Sequence, residues 1–185
     1  MLKGEYLRYL NKLYTYMGLD DLSKEELKDL VRGYAKNIIA MDGIWFQSNE
    51  KKNGMDEAME HDRNVWKNFS ISEGRRLKKF LHLEEHPGLT GLKEALSIRF
   101  SALGNPVVEL YEEGDFLIYK VVKCRVQIAR KRKGMPYHPC KSAAIFEQRC
   151  FASAIDDRIK CDVISCYPDV TDENAACVWR FYIPE

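Results

Sequence analysis

The first half of the chain carries apolar residues at steps of three and four, the spacing that gathers side chains on one face of a helix. Ser23 followed by Glu26 is a capping-box signature and predicts a helix that starts there. The apolar positions that follow are Leu27, Leu30, Val31, Tyr34, Ile38, Met41 and Trp45. We predict that they form one buried stripe, and that Asn53-Gly54 ends the segment.

Two more helices are predicted before residue 105. The apolar positions of the second helix are Met55, Met59, Val65, Trp66, Phe69, Leu77, Phe80 and Leu81. The sequence His86-Pro87-Gly88 ends it. The third helix runs from Leu92 to Leu103, and Gly104 follows it as the residue type favoured after a helix terminus. Residues 3–17 have similar spacing and predict a further helix.

The pattern changes after Asn105-Pro106. Residues 107–111 and 116–122 are rich in β-branched and aromatic residues and predict a hairpin. Residues 141–155 predict a helix, and two strands close the chain at 159–166 and 177–183. The resulting order is helices followed by β-β-α-β-β. It predicts an α+β fold with a helical layer (residues 1–104) and an antiparallel sheet unit (residues 105–185), packed as one compact domain.

Composition and charge exclude several classes of protein. The 185 residues are 45% hydrophobic and 31% charged, which excludes a disordered chain. A net charge of +1 provides no overall field to attract nucleic acid or an anionic membrane. The cationic block at residues 130–133 is typical of a solvated helix face. There is no apolar run of membrane-spanning length and no signal-peptide core, so we expect a cytoplasmic protein. Together with the near-neutral charge, this predicts a small-molecule ligand and neither nucleic-acid nor membrane partners.

The six cysteines all lie in the last third of the chain: Cys124, Cys140, Cys150, Cys161, Cys166 and Cys177. In a cytosolic protein such clustering indicates a metal site, a redox pair or simple burial before structural disulfides. Cys150 lies on the apolar stripe of the predicted helix, which predicts a buried residue. Cys161 and Cys166 are five positions apart, an odd step, and should face opposite sides of one strand, unless the strand ends or bulges between them. Cys177 is expected on a core face.

Cys140 differs from the other cysteines because it opens a predicted helix and follows His138 and Pro139. The free N–H groups and the dipole of a helix start stabilise a thiolate. One interpretation is therefore a reactive or metal-binding Cys140, with His138 as its base. The other is a buried residue at a helix start, and the sequence leaves both open.

The cysteines also allow a zinc site, and zinc is the cofactor that we consider. Cys124, Cys140, Cys166 and Cys177 could supply four thiolates from separate elements. No C-x-x-C pair is present, and the spacing matches no compact zinc ribbon or finger.

Carboxylates form a second candidate constellation. Asp62 and Glu73 share the core-facing stripe of the second helix, and Asp42 lies beside the stripe of the first. A buried carboxylate is costly unless it is paired or hydrogen-bonded, so these residues indicate either a polar cavity or internal ion pairs. Arg99 is one of the arginines available as a partner.

Two tryptophans flank these carboxylates. Trp45 and Trp66 could be pocket walls or plain core. If the cavity exists, Asp42 and Asp62 would orient a substrate in it, with the tryptophans beside them.

Several segments resemble a known family: MDGIWF (41–46), GMDEAMEHDRNVW (54–66), CRVQIARKRKGMPYHPCKS (124–142), FASAIDDRIKC (151–161) and CVWRF (177–181). They look like an uncharacterised bacterial cytosolic family related to the L-2-amino-thiazoline-4-carboxylic acid hydrolase-like proteins. The match covers nearly the whole chain from about residue 23. Fold likeness does not by itself transmit chemistry.

The C-terminal half is also similar in layout to the vinyl-4-reductase-type ligand-binding domain. In that domain a cysteine opens a helix and others lie on the last two strands, as Cys140, Cys166 and Cys177 do here. The stretch after Cys166 is longer than the short turn of that domain, which weakens any transfer of a metal or tetrapyrrole role. Both likenesses imply a small-molecule pocket between a curved antiparallel sheet and helices, with cysteines near it.

Three hypotheses follow. The first is a hydrolase of a small polar heterocycle or amide, with Cys140 as nucleophile or ligand and His138 as base. The second is a non-catalytic ligand-binding or sensor module, with or without cysteine-bound zinc. The third is an interaction protein whose aromatic-rich helices bury a homodimer face.

Overall fold

The computed structural model describes residues 18–184. After a 3₁₀ turn at Leu19–Asp21, the helices are α1 (Lys24–Asn53), α2 (Met55–Phe80), α3 (Gly88–Ile98), α4 (Phe100–Gly104), α5 (Arg125–Arg132) and α6 (Lys141–Ile155). The strands are β1 (Val107–Glu113), β2 (Phe116–Lys123), β3 (Lys160–Cys166) and β4 (Cys177–Tyr182). The α+β class and the order of elements are confirmed. The helix predicted at 3–17 lies outside the described residues.

The four strands form one antiparallel sheet in the order β1-β2-β4-β3. The β1–β2 hairpin turns at Gly114, whose φ of 58° lies in the left-handed region that glycine adopts without strain. The last strand enters the middle of the sheet between β2 and β3. Tyr119 of β2 therefore lies opposite Trp179 of β4, and both are buried.

The largest hydrophobic core lies between one face of the sheet and the helices. It combines fully buried residues of α3, β2, α6 and β4, such as Leu96, Leu117, Phe151 and Phe181. Residues from the N-terminal helices and from the sheet unit thus share one core. Helix α6 lies along α2 in the most extensive contact between two helices.

The buried-stripe prediction for α1 is wrong. Val31, Tyr34, Met41 and Trp45 are 52–66% exposed, while Leu27 and Ile38 are 37% and 39% exposed. The buried residues of this helix are Ala35, Ile39 and Phe46, which belong to a neighbouring, narrower face. Apolar spacing identifies a face but does not say whether the chain covers it. The homodimer predicted through the aromatic-rich helices stays a prediction.

The structure also differs from the predicted elements at a helix break and at a β-bulge. The predicted third helix is interrupted at Arg99, which separates α3 from α4. In β3 the pairing with β4 shifts at Ile164, so this bulge returns Cys166 to the same buried face as Cys161. The prediction that Cys161 and Cys166 face opposite sides of the sheet is therefore wrong. It required a strand without a bulge between the two cysteines, and β3 has one.

The stripe chosen on α6 is also wrong. Phe146 is exposed and Cys150 is only partly buried, outside the hydrophobic clusters. The buried face of the helix instead carries Ala143, Phe151 and Ile155. Among residues 18–184, none of the helices combines the length and apolar character that crossing a membrane requires.

Candidate functional site

A cavity of about 120 Å³ lies between the sheet and the helices α1, α2 and α6. Its lining is mostly apolar and includes carboxyl, imidazole and thiol groups. An engineered cavity of about 150 Å³ holds a benzene ring, so this volume suits a ligand of about one small ring.

One part of the lining is acidic. Asp42 of α1, Asp62 of α2 and Glu147 of α6 all line the cavity. Burial raises the pKa of Asp42 to about 7, and the nearby carboxylate of Asp62 adds to the rise while His138 opposes it. Burial also raises the pKa of Glu147 to about 7, although Arg99 opposes this shift. Two carboxyl groups that titrate near neutral pH suit proton transfer to a ligand.

The imidazole of His138 pairs with Asp62. His138 Nε2 lies 3.3 Å from Asp62 Oδ2, and the side chain of Phe46 meets the imidazole edge-on, with 4.3 Å between ring centroids. Among the described residues, His138 Nδ1 is buried without a hydrogen-bond partner. When Asp62 is ionised it favours the proton on Nε2, which leaves the lone pair of Nδ1 free to accept a proton.

Four cysteines also line the cavity: Cys124, Cys140, Cys166 and Cys177. Cys140 occupies the N-cap of α6, as predicted, and its Sγ lies 3.6 Å from Cys166 Sγ. Hydrogen bonding to the thiols of Cys140 and Cys177 raises the pKa of Cys166, with burial adding to the rise. Burial raises the pKa of Cys124 to about 12.

The four thiols do not form a preformed metal centre. Within residues 18–184, the group of three potential ligand atoms lying within 4.8 Å of one another is that of His86, Asp156 and Asp157, away from the cavity. Both carboxylate oxygens of Asp156 already accept hydrogen bonds from Arg158. A tetrahedral zinc site at the cysteines would therefore require the side chains to move together.

Gln127 of α5 holds the segment that carries the base and the thiol. Its Oε1 accepts from His138 N at 3.0 Å, and its Nε2 donates to His138 O at 2.9 Å. The same Nε2 lies 3.8 Å from Cys140 Sγ. This buried amide fixes the backbone of His138 and thereby places both side chains at the cavity.

Two further polar groups line the cavity beside the sheet. Tyr119 Oη lies 3.0 Å from Ser101 Oγ in a buried hydrogen bond. The indole Nε1 of Trp179 is buried and has no hydrogen-bond partner among the described residues. Since buried indole groups usually donate a hydrogen bond, this N–H is available to an acceptor atom of a ligand.

The structure brings together most of the predicted site residues. Asp42, Asp62, Trp66, His138 and the four cysteines all line the cavity. Trp45 does not, because its side chain is 66% exposed in an outer apolar groove. Asp42 and Trp66 line both that groove and the cavity, so they lie between the surface and the interior.

Sequence reasoning missed Glu147, Gln127, Tyr119 and Trp179. For Glu147 a signal existed, because Ala143, Glu147 and Phe151 recur every four residues and form a second stripe on α6. Choosing the stripe through Phe146 left it unnoticed. Nothing in the sequence distinguishes Gln127 from other polar residues of its basic helix.

Searches of the curated proteins and of the solved structures gave no match. A family model does match, over residues 20–183, which is most of the chain. The chain therefore belongs to the DUF6125 family, a family of unknown function.

Proposed function

We propose that this protein is a hydrolase of a small polar heterocycle or amide, with Cys140 as its nucleophile. The observation that carries the proposal is one small cavity that contains the Cys140 thiol, the His138–Asp62 pair and two carboxyl groups with pKa values of about 7. Nucleophile, base and orienting carboxylate are the parts that cysteine-based acyl transfer needs.

We assign the roles from the residues that line the cavity. Asp62 fixes the tautomer of His138. In the proposed reaction the buried Nδ1, which has no hydrogen-bond partner among the described residues, takes the proton of the Cys140 thiol once the two side chains have moved into contact. Asp42, protonated at pH values below about 7, donates a hydrogen bond to the substrate and orients its leaving nitrogen. Trp179 Nε1 offers a donor to the oxygen or other acceptor atom of the substrate.

The reaction balances with one water. Cys140 Sγ bonds to the amide or amidine carbon, the carbon–nitrogen bond breaks, and the thiol proton ends on the leaving nitrogen. Water then attacks the same carbon, its hydroxyl stays there, and its remaining proton returns to sulfur as the carbon–sulfur bond breaks. His138 carries the proton in both halves.

Size and polarity define the substrate class. The cavity of about 120 Å³ takes about one ring. Its carboxyl groups suit amino or amidine N–H donors, and the indole N–H suits an acceptor. The resemblance to L-2-amino-thiazoline-4-carboxylic acid hydrolase-like proteins stays a prediction, and it places 2-amino-thiazoline-4-carboxylic acid among the compounds to test.

The experiment is a hydrolysis screen with purified protein. Small cyclic amidines, thiazolines and lactams are incubated with it, and mass spectrometry follows the addition of one water to each. We expect one of these classes to be opened by the wild-type protein and by Cys150→Ser, whose sulfur lies outside the cavity, and not by Cys140→Ser. Turnover that survives Cys140→Ser, or no turnover of any class, would contradict the proposal.

The second candidate is a ligand-binding or sensor module with zinc. The observation in its favour is that Cys124, Cys140, Cys166 and Cys177 line the same cavity. Elemental analysis tests it: the zinc version predicts roughly one zinc per chain, lost in Cys177→Ala and kept in Cys150→Ala. Metal-free protein purified in the presence of zinc would eliminate this version.

A further inference from the structure

The thiols of Cys140 and Cys166 are already in contact. Their Sγ atoms are 3.6 Å apart, close enough for contact and too far for a covalent bond. A disulfide joins its sulfurs at about 2.05 Å, so the contact has to close by about 1.5 Å from its 3.6 Å separation. Small rotations about the side-chain bonds supply movements of this size.

The backbones that carry the two cysteines are tied together at the next residue of each. Lys141 N donates to Tyr167 O at 2.8 Å, which joins the start of α6 to the end of β3. The side chain of Lys141 adds an ion pair to Asp169 at 2.8 Å. These bonds hold the two cysteines side by side, a requirement for disulfide geometry that most pairs of free cysteines do not meet.

We propose that Cys140 and Cys166 form an oxidation site, which a hydroperoxide converts into an intramolecular disulfide. The two residues have different exposure, and this difference assigns their roles. Cys140 is partly exposed, whereas Cys166 is fully buried at 0%. Cys140 therefore meets the oxidant first, and Cys166 resolves the product.

The chemistry closes with hydrogen peroxide as the oxidant. Cys140 sulfur attacks one peroxide oxygen, the O–O bond breaks, and a sulfenic acid and one water form. Cys166 sulfur then attacks Cys140 sulfur, the S–S bond forms, and the sulfenic oxygen leaves as a second water with the Cys166 proton. Overall, two thiols are oxidised to one disulfide and one peroxide is reduced to two waters.

The neighbouring cysteines fit the reaction less well. Cys177 lies opposite Cys166 in the β3–β4 register and is the competing partner. Cys161 is buried but does not line the cavity, and burial raises the pKa of its thiol, as it does for Cys124. Within residues 18–184, no three cysteine sulfurs lie within 4.8 Å of one another, which favours a reaction of two sulfurs over a metal held by three.

A disulfide between Cys140 and Cys166 would consume the Cys140 thiol, which is the nucleophile of the proposed hydrolase, and would therefore stop hydrolysis. Only this loss of activity rests on the proposed function. Its test requires no substrate, so the two proposals can fail separately.

The test treats reduced full-length protein with equimolar hydrogen peroxide, blocks the remaining thiols with N-ethylmaleimide under denaturing conditions, and maps peptides by mass spectrometry. We expect a monomeric product that has lost two hydrogens and contains the Cys140–Cys166 cross-linked peptide. Cys150→Ser should give the same product. Cys166→Ser should give no cross-link and a Cys140 sulfenic acid that dimedone captures.

Three results would overturn the proposal. In the first, Cys140 and Cys166 both remain alkylated after peroxide treatment. In the second, the cross-link joins Cys166 to Cys177. In the third, Cys140 proceeds to a sulfinic acid while Cys166 stays free. If Cys166→Ser does not fold, Cys140→Ser serves instead. It should lose the cross-link because the sulfur that attacks the peroxide is absent.

Discussion

Arg99 and Glu73 form a buried ion pair, with Arg99 Nη2 2.8 Å from Glu73 Oε2. The same nitrogen lies 3.1 Å from Glu147 Oε1, and the guanidinium packs over the ring of Phe151 at 4.1 Å from its centroid. Glu73 belongs to α2 and Glu147 to α6, while Arg99 occupies the break between α3 and α4. One guanidinium thus joins α2, α6 and the break between α3 and α4 beside the cavity.

Arg99→Met should destabilise the protein strongly. Removing one partner leaves the carboxylates of Glu73 and Glu147 buried without their cation, which costs about 3–5 kcal/mol of unfolding free energy. Urea denaturation followed by circular dichroism measures this loss. Arg32→Met is the control, because Arg32 pairs with Asp29 on the exposed surface and such pairs contribute about 0.5 kcal/mol. Equal losses in the two variants would disprove the assigned importance of the buried pair.

The sequence predicted this pair in outline and could not predict its geometry. Core-facing register identified Asp62 and Glu73, and Arg99 was among the available partners. The partner of Asp62 is instead His138, which lies 76 positions away and comes close only through the packing of α2 against the sheet unit. Periodicity gives the buried face of one element, but contacts between elements depend on how those faces are oriented in the fold.

The pKa of Asp42 predicts a stability that falls as pH rises. Its pKa is about 7 in the folded protein and ordinarily 3.8, so the folded state binds more protons than the unfolded state between these values. Stability must then decrease through this window. Asp42→Asn removes the titration, and relative to the wild type the variant should gain roughly 2–3 kcal/mol between pH 5 and pH 8.

Urea denaturation at pH 5, 6, 7 and 8 measures that gain. Asp29→Asn is the matched control, because Asp29 is an exposed carboxylate on the same helix. A pH-independent difference between Asp42→Asn and the wild type would mean that Asp42 does not titrate in this range.

Gly74 allows the close approach of α2 to α6. A Cβ at this position would lie 2.7 Å from Ala154 Cβ and 3.1 Å from Phe151 O. Gly74→Ala should therefore push the two helices apart and cost about 1–3 kcal/mol, measured by thermal or urea unfolding. Gly33→Ala provides the contrast: it lies inside α1 with nothing within 4 Å, so alanine should stabilise by about 0.5–1 kcal/mol. A Gly74→Ala variant as stable as Gly33→Ala would refute this packing.

The mistakes on α1 and α6 have a common physical cause. Both helices carry two apolar stripes, and on each the spacing predicts burial of the stripe that the fold leaves outward, through Trp45 on α1 and through Phe146 on α6. In the structure the small residues Ala35, Ala143 and Ala152 are buried, because helices approach most closely where side chains are short. The stripe with Tyr34 and Trp45 stays exposed. The distance between two packed helices determines which residue sizes fit at their contact. That distance cannot be read from the sequence of one helix alone.

Gln127→Ala should loosen the loop that carries the base and the thiol. The variant leaves His138 N and O without their buried partners, which costs about 1–3 kcal/mol. Urea denaturation measures the loss, and alkylation of Cys140 in the folded variant should also slow. Gln47→Ala is the control, because Gln47 accepts a hydrogen bond from the exposed Lys133 Nζ and holds no buried backbone group in the part of the chain that the structure describes. An unchanged stability and an unchanged Cys140 rate would show that Gln127 does not position this segment.

The most direct test of Cys140 as a base-assisted nucleophile is its alkylation rate with iodoacetamide at pH 7, followed by peptide mapping. We predict that Cys140 reacts faster in the folded protein than in the urea-unfolded chain, and that His138→Asn slows the folded reaction about tenfold or more. Cys150, outside the cavity, should react at the same rate in the folded wild type and in folded His138→Asn. A folded Cys140 that reacts no faster than the unfolded one, with no effect of His138→Asn, would contradict its role as nucleophile.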